Sequence, residues 1–343
     1  MGYDNLKLEK GMYRQEGMNF TQVLESLDPS ENYRGTALEG TDAFQRQLKR
    51  FGIRAKGEGS SPVEKFFRTM DSAVLFPEYI SRTVRQGMEE NDILPSIVAT
   101  TTVIDSMDYR SIYSEAGDED LALRDLEEGT AIPTTQIKTK DHLINLKKRG
   151  RMLVASYEAI RFQKLDLFSV MLRQIGAYIQ KMQVADALGV LVFGDGNDNE
   201  AMQYVVGDGN ISGEQGTLGY EQLVEFWSKF NPYTMNTILC SNNTMVQMLK
   251  IPELQNPATG LNFQATGKFG TPLGAQVHRT EALDDGMIVG LDNRYALELV
   301  RAGDVLVEYD KLIDRQLERA AITTIFGFGK IVNDASAVLN VWN

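Results

Sequence analysis

The 343-residue sequence predicts an α+β fold organised around one long helix, on three observations. An apolar stripe at helical spacing runs through residues 166–193, and β-branched or alternating segments flank it on both sides. Two charge blocks of opposite sign interrupt the chain just before it. The composition is that of a globular protein, 43% hydrophobic and 24% charged. Lysine and arginine total 35 against 47 acids, a formal net charge of −12. That balance disfavours a nucleic-acid grip built on clustered cations, but leaves room for a surface that faces DNA and repels it.

Residues 1–56 are polar and turn-rich, with too few apolar residues for a core of their own, and read as an arm lying on something else, a disordered tail being the alternative. Within them "TDAFQRQLKRFGI" predicts a helix capped by Thr41 or Asp42, with Phe44, Leu48 and Phe51 on one face and Gly52 as its stop. "KGEGSSP" at 56–62 reads as a flexible joint. Residues 62–92 alternate turn punctuation with short apolar clusters, and the β-branched "SIVATTTVIDSM" at 96–107 predicts a strand.

The stretch 109–151 carries the charge blocks. Its acidic run holds Glu115, Asp118, Glu119, Asp120, Asp125, Glu127 and Glu128, and its basic run holds Lys138, Lys140, Lys147, Lys148, Arg149 and Arg151. Two arms of opposite sign joined by "TAIPTT" suit a long two-stranded excursion, and a solvated loop with accidental charge blocks is the alternative. The rod follows. Asp166 is its expected N-cap, Phe168, Met171, Leu172, Ile175, Tyr178, Ile179, Met182 and Ala185 trace its apolar stripe, and Gly194 and Gly196 end it. Gly176 and Gly189 inside the rod each cost about 1 kcal/mol relative to alanine, so packing rather than propensity must hold it.

Residues 219–310 read as a mixed α/β unit. "LGYEQLVEFWSKF" and "NTMVQMLKI" are helices; "TILCSN", "AQVHRTEAL", "GMIVGLD" and "YALELV" are strands at sandwich-like spacing. The final "AITTIFGFGKIVNDASAVLNVW" alternates like a hairpin with its turn near Gly327–Gly329.

Motifs for chemistry fail. "GDGNISG" places Asp208, Asn210 and Ser212 like a calcium loop, but Gly219 stands where the bidentate glutamate belongs. "GDGNDN" follows a helix instead of opening one, and "ATGKFGT" lacks the upstream glycine of a phosphate loop. Cys240 is the only cysteine, which excludes an intrachain disulfide and a cysteine-built metal site, and it reads as a small core residue. His142 and His278 fall in unrelated segments. No signal-peptide core or membrane span is expected, and no cofactor, metal or catalytic residue is assigned.

Four stretches together resemble the major capsid proteins of tailed bacteriophages, the Hong Kong 97-like family: "LFPEYISRTVRQGMEENDILPSIVATTTV" (75–103), "EEGTAIPTTQI…INLKKRGRMLVASYEAI" (127–160), "DLFSVMLRQIGAYIQKMQVADALGVLVFGDG" (166–196), and "GTPLGAQVHRTEALDDGMIVGLDNRYALELV" (270–300) followed by "FGFGKIVNDASAVLNV". Each is a loose pattern of glycines, prolines and apolar positions; their shared order over residues 70–343 carries the likeness. The resemblance implies an N-terminal arm over 1–70, a peripheral domain over 71–108 and 152–196 with a spine helix, and an extended loop over 109–151. It further implies an axial domain over 197–308 and return strands over 309–343.

The implied function is an icosahedral shell of hexamers and pentamers around double-stranded DNA, assembled in the host cytoplasm and forming the virion capsid. Implied partners are a separate scaffolding protein, a portal and a decoration protein, with no membrane. The opposite charge runs are expected to meet complementary charges on adjacent copies, where exposed pairs contribute about 0–1 kcal/mol each. Reversing Lys147, Lys148 and Arg149 would then abolish shells. Some relatives carry a lysine–asparagine crosslink, for which Lys138 or Lys140 and Asn333 are the matching residue types; only Asp334, and no glutamate, stands beside Asn333 to promote it. Two rivals remain at this stage: an encapsulin-type compartment that encloses an enzyme, and a soluble hydrolase with an unrecognised site.

Overall fold

The computed structural model describes residues 3–15, 17–90, 92–114, 137–255 and 272–342. Helices are α1 (Phe20–Leu27), α2 (Ala43–Arg50), α3 (Met70–Glu89), α4 (Tyr157–Phe162), α5 (Leu165–Phe193), α6 (Tyr220–Ser228), α7 (Asn242–Lys250) and α8 (Pro252–Gln255). Strands are β1 (Val98–Ile104), β2 (Ile112–Ser114), β3 (Ile137–Thr139), β4 (Lys147–Ser156), β5 (Met202–Val205) and β6 (Thr237–Cys240). They continue with β7 (Gln276–Arg279), β8 (Met287–Leu291), β9 (Leu297–Ala302), β10 (Leu306–Leu312), β11 (Leu317–Lys330) and β12 (Ser336–Asn340). The chain divides into a first unit of residues 1–91, 148–180 and 304–324, and a second of residues 92–147, 181–303 and 325–343.

In the first unit the N-terminal segment has no core of its own but shares one with other elements. Leu6, Leu8, Met12, Phe20, Val23, Leu24, Phe44 and Leu48 are buried in one cluster with α3 and the start of α5. Helix α2 forms as its caps dictate: the Asp42 carboxylate accepts from the Gln45 amide at 2.7 Å, and Gly52 leaves at φ +63°. Arg46 is fully buried, and its guanidinium is satisfied. It donates to Asp28 Oδ2 at 2.7 Å, Ser30 Oγ at 3.0 Å and Thr41 O at 2.5 Å, with its plane over the Tyr33 ring. The expected joint at 56–62 is tied down instead, through Ser61 N to Arg54 O and Leu165 N to Ser61 O, both near 2.9 Å.

Helix α3 was hidden in the sequence by Pro77, which sits inside it. Thr69 and Ser72 cap its start. Near the proline, the Tyr13 hydroxyl donates to Val74 O at 2.8 Å and accepts from Glu78 N at 3.0 Å, satisfying two groups one helical turn apart. Tyr13 also stacks on Phe20, so the N-terminal segment is stitched into this helix.

Helix α5 is continuous, with Asp166 in its first turn rather than at the N-cap. Its first half buries Leu165, Phe168, Leu172 and Ile175 in the first unit, with Ile179 half-buried against them. Its second half buries Val184, Ala187, Leu188, Leu191 and Val192 in the second unit. The expected stripe is buried only in part: Phe168, Leu172 and Ile175 are covered, whereas Met171 and Met182, expected to pack, are 53% and 43% exposed, and Tyr178 is 51% exposed. Within the first unit α3 and α5 touch backbone to backbone. A Cβ at Gly87 would lie 2.1 Å from Arg173 O, and one at Gly176 would lie 2.0 Å from Val84 O.

In the second unit, β5–β12–β8–β6–β7 form a mixed sheet, not the sandwich suggested by strand spacing. The pairings run parallel, antiparallel, antiparallel and parallel. Strand β9 lies between β1, which is parallel to it, and the last five residues of β11, which are antiparallel. The terminal hairpin is a misreading. Strand β11 runs straight through Gly327 and Gly329 to Lys330, the turn falls at 331–335, and β12 belongs to the other sheet. In the first unit β10 pairs with residues 317–323 of β11, and Gly150 of β4 lies against Ile322 and Thr323.

The two interior glycines of α5 give opposite expectations. Gly176→Ala is expected to destabilise the protein by about 1–3 kcal/mol through forced separation of α3 and α5. Gly189→Ala, whose Cβ meets nothing within 4 Å, is expected to stabilise it by about 1 kcal/mol. Chemical denaturation of both variants beside the parent measures the difference.

Candidate functional site

The excursion between β1 and β4 leaves the second unit as a two-stranded hairpin whose root is unusually well held. Strands β2 and β3 pair antiparallel, Ile112 opposite Thr139 and Ser114 opposite Ile137. Below them, Lys140 N donates to Ser111 O and Ile144 N to Tyr109 O, each at 2.9 Å. Two carboxylates then fasten the root, one on each strand.

Glu298, the second residue of β9, is only 4% exposed. Its Oε1 accepts from Tyr109 OH at 2.8 Å and Thr102 Oγ1 at 2.5 Å, and its Oε2 accepts from Ser111 Oγ at 2.6 Å. Three hydroxyls supply what burial would otherwise deny the carboxylate. Burial, then the hydrogen bond to Glu298, raises the Tyr109 phenol above its ordinary value.

Asp195, just past the end of α5, serves the returning strand. Its Oδ2 accepts from Lys140 Nζ at 3.0 Å and from Lys330 N at 2.9 Å, and its Oδ1 accepts from Asn197 Nδ2 at 2.8 Å. Burial alone would raise this carboxyl. The donors Asn197, Lys330 N–H and Lys140 outweigh burial and hold it below the usual carboxylate range. Lys140 Nζ also donates to Lys330 O, and His142 N donates to Asn197 Oδ1 at 3.0 Å. Lys330 is fully buried; its amine donates to Asn199 O at 3.0 Å and reaches Leu191 O, one of the last four carbonyls of α5, at 3.5 Å. Burial pushes that amine down to about 8, against the opposing pull of Asp195 and Asp334.

The glycines misread as a turn make this arrangement possible. A Cβ at Gly329 would come within 2.5 Å of Ile144 Cδ1, and one at Gly327 within 2.7 Å of Asn145 O. The returning strand thus lies directly on the floor of β11.

The basic residues expected to reach neighbours separate into two groups. Lys140 is spent internally, which also removes it as a crosslink donor, and Lys147 pairs with Asp186 at 3.1 Å while half exposed. Arg149 is half-buried, with a partner of its own. Lys138, Lys148 and Arg151 are exposed, although Lys138 also has a partner. Asn333 lies exposed in the turn before β12. Glu115, Asp118, Glu119, Asp120, Asp125, Glu127 and Glu128 lie outside the described residues, as does "ATGKFGT".

Elsewhere, Cys240 is buried in β6, where burial pushes its thiol up to about 12. His142 is exposed, and burial lowers the His278 imidazole on β7. Asp208 accepts from the backbone of its own turn, Asn210 N at 2.8 Å. Among the described residues no group of His, Cys, Asp and Glu is placed to hold a metal ion, and no helix is long and apolar enough to cross a membrane. Sequence reasoning missed Glu298, Asp195 and Lys330. The available signal was a single charge in each of the otherwise apolar strands "YALELV" and "IFGFGK".

A model of phage capsid proteins matches residues 139–339. Among solved structures, the chain is similar to the capsid of a native GTA particle at 14% identity, covering 76% of this chain and 91% of that one with a TM-score of 0.52. It is similar to the mature capsid of bacteriophage PhiM1 at 10% identity, covering 73% and 87% with a TM-score of 0.51. A virus-like particle from Pyrococcus furiosus matches at 13% identity, covering 77% and 98% with a TM-score of 0.50. At these identities the likeness speaks for the fold. No curated protein matches.

The buried amine gives a pH dependence. Lys330 holds a folded-state value of about 8 against 10.5 when unfolded, so the unfolded chain binds more protons between those values. Stability is expected to rise with pH across that window. The rise should shrink in Lys330→Met, as read from denaturation midpoints at pH 7.5, 9 and 10.5.

Proposed function

The chain belongs to the phage capsid protein family, and on that footing we propose that it is the major capsid protein of a tailed double-stranded DNA phage, closing an icosahedral shell from copies of itself. The family match over residues 139–339 carries this reading. That match begins on β3 of the hairpin and runs through α5 to β12. The role is structural, and its place is the capsid of the virion. A shell of this kind uses hexamers and pentamers, because repeated copies of one chain close only through symmetric contacts. The finer partners are a scaffolding protein, a portal and a decoration protein, with assembly in the host cytoplasm. The net charge of −12 suits a container that encloses DNA without gripping it. The family match favours a genome container over an enzyme-filled compartment, and it offers no footing for a hydrolase.

The surface suits subunits that are covered by one another. Leu167, Val170, Met171 and Tyr178 form an apolar face on the first half of α5, each about half exposed, and β4 exposes Met152 and Val154 beside Lys148 and Arg151. The acidic run 115–128 of an adjacent copy complements that basic strand. Contacts of about 0–1 kcal/mol per exposed pair set register and let salt tune assembly while permitting error correction.

Negative-stain microscopy of the purified, concentrated protein is expected to show closed shells of uniform diameter; a monodisperse small species contradicts the reading. Reversing Lys148 and Arg151 to glutamate, which spares the Lys147–Asp186 bridge, is expected to cut shell yield at least tenfold with an unchanged thermal midpoint.

A further inference from the structure

The hairpin root is fastened twice, on opposite strands, from two separate elements of the second unit. Tyr109 and Ser111, just before β2, hang from Glu298 of β9, at 2.8 and 2.6 Å. Lys140, just after β3, hangs from Asp195, at 3.0 Å. One fastening would leave a hinge about which a hairpin swings. Two, with the strands bonded to each other between them, remove that freedom.

The arrangement is more elaborate than stability requires. A side-chain carboxylate that is only 4% exposed and held by three neutral hydroxyls gains no charged donor from them, and an apolar side chain in β9 would pack the same space without a desolvation cost. What the carboxylate adds is direction: three donors converge on two oxygens, and two of those donors belong to the root. We infer that Glu298 and Asp195 are positioning residues that aim the extended loop at the neighbouring copy, acting through Tyr109 and Ser111 on one strand and Lys140 on the other.

Leverage explains why such aim matters. A swing of roughly 10° at a root moves a point roughly 30 Å beyond it by about 5 Å, more than the tolerance of a hydrogen bond or a close charge pair. A root already held in one geometry lowers the entropic cost of docking and favours one register.

The inference rests on the capsid reading, and its test separates the two. Tyr109→Phe/Ser111→Ala removes the outgoing tether but leaves Glu298 short of donors. Adding Glu298→Leu removes the stranded carboxylate as well, so the triple variant is expected to regain the parent's thermal midpoint without regaining the tether. Electron microscopy of shells from the three proteins then reads aim apart from stability. The double and triple variants are both expected to yield at least tenfold fewer uniform shells, replaced by particles of mixed diameter.

Uniform shells at parent yield from the triple variant overturn the inference, since stability alone then suffices. If the triple variant does not fold, the double variant is compared with Ile288→Ala, which weakens the other apolar cluster of the same unit. Uniform shells from Ile288→Ala at an equal or lower midpoint support the inference, and equal disorder in both overturns it. A parent protein that forms no shells overturns the capsid reading first.

Discussion

The structure depends on one helix being buried twice. Helix α5 commits Leu165, Phe168, Leu172 and Ile175 to one apolar cluster and Val184, Ala187, Leu188, Leu191 and Val192 to another. Two interior glycines oppose it on propensity, so its continuity is a product of packing. Strand β11 repeats the principle, pairing with β10 over 317–323 and with β9 over 326–330. Each apolar cluster thus draws part of its lining from an element that continues beyond it.

The second theme is buried charge used for geometry. Asp195 sits where α5 ends and gathers Lys140, the Lys330 backbone and Asn197; Lys330 in turn serves the carbonyls of Leu191 and Asn199. Such a network contributes little net stability compared with apolar packing, but each member left unpaired would cost several kcal/mol. The arrangement therefore tolerates one geometry and penalises its neighbours. Arg46 works the same way in the first unit, where Asp28, Ser30, Thr41 and Tyr33 close around it and turn a polar N-terminal segment into part of the fold.

Periodic and capping signals were legible in the sequence. The long helix, α2 with its Asp42 cap and Gly52 stop, β1, α6, α7 and strands β6 to β9 follow from local pattern. What escaped depended on partners distant along the chain. Helix α3 was obscured by Pro77 because Tyr13, which satisfies the backbone beside it, comes from far upstream. Gly327 and Gly329 looked like a turn because nothing local shows that Ile144 and Asn145 press on them. Lys140 looked like a surface cation because Asp195 and Lys330 cannot be read beside it. Met171 and Met182 fit an apolar stripe by spacing yet face out, because spacing alone does not show which of its positions other elements cover. The root of the loop was correspondingly invisible, whereas the charge blocks it carries were plain.

The most direct measurement of this account is a side-chain-resolution reconstruction of the assembled particle by electron cryomicroscopy. The account predicts α5 unbroken from Leu165 to Phe193 in every copy, with the loop beyond Ser114 and Ile137 seated on an adjacent copy. A particle in which α5 breaks near its middle, or in which each loop rests only on its own subunit, would contradict it.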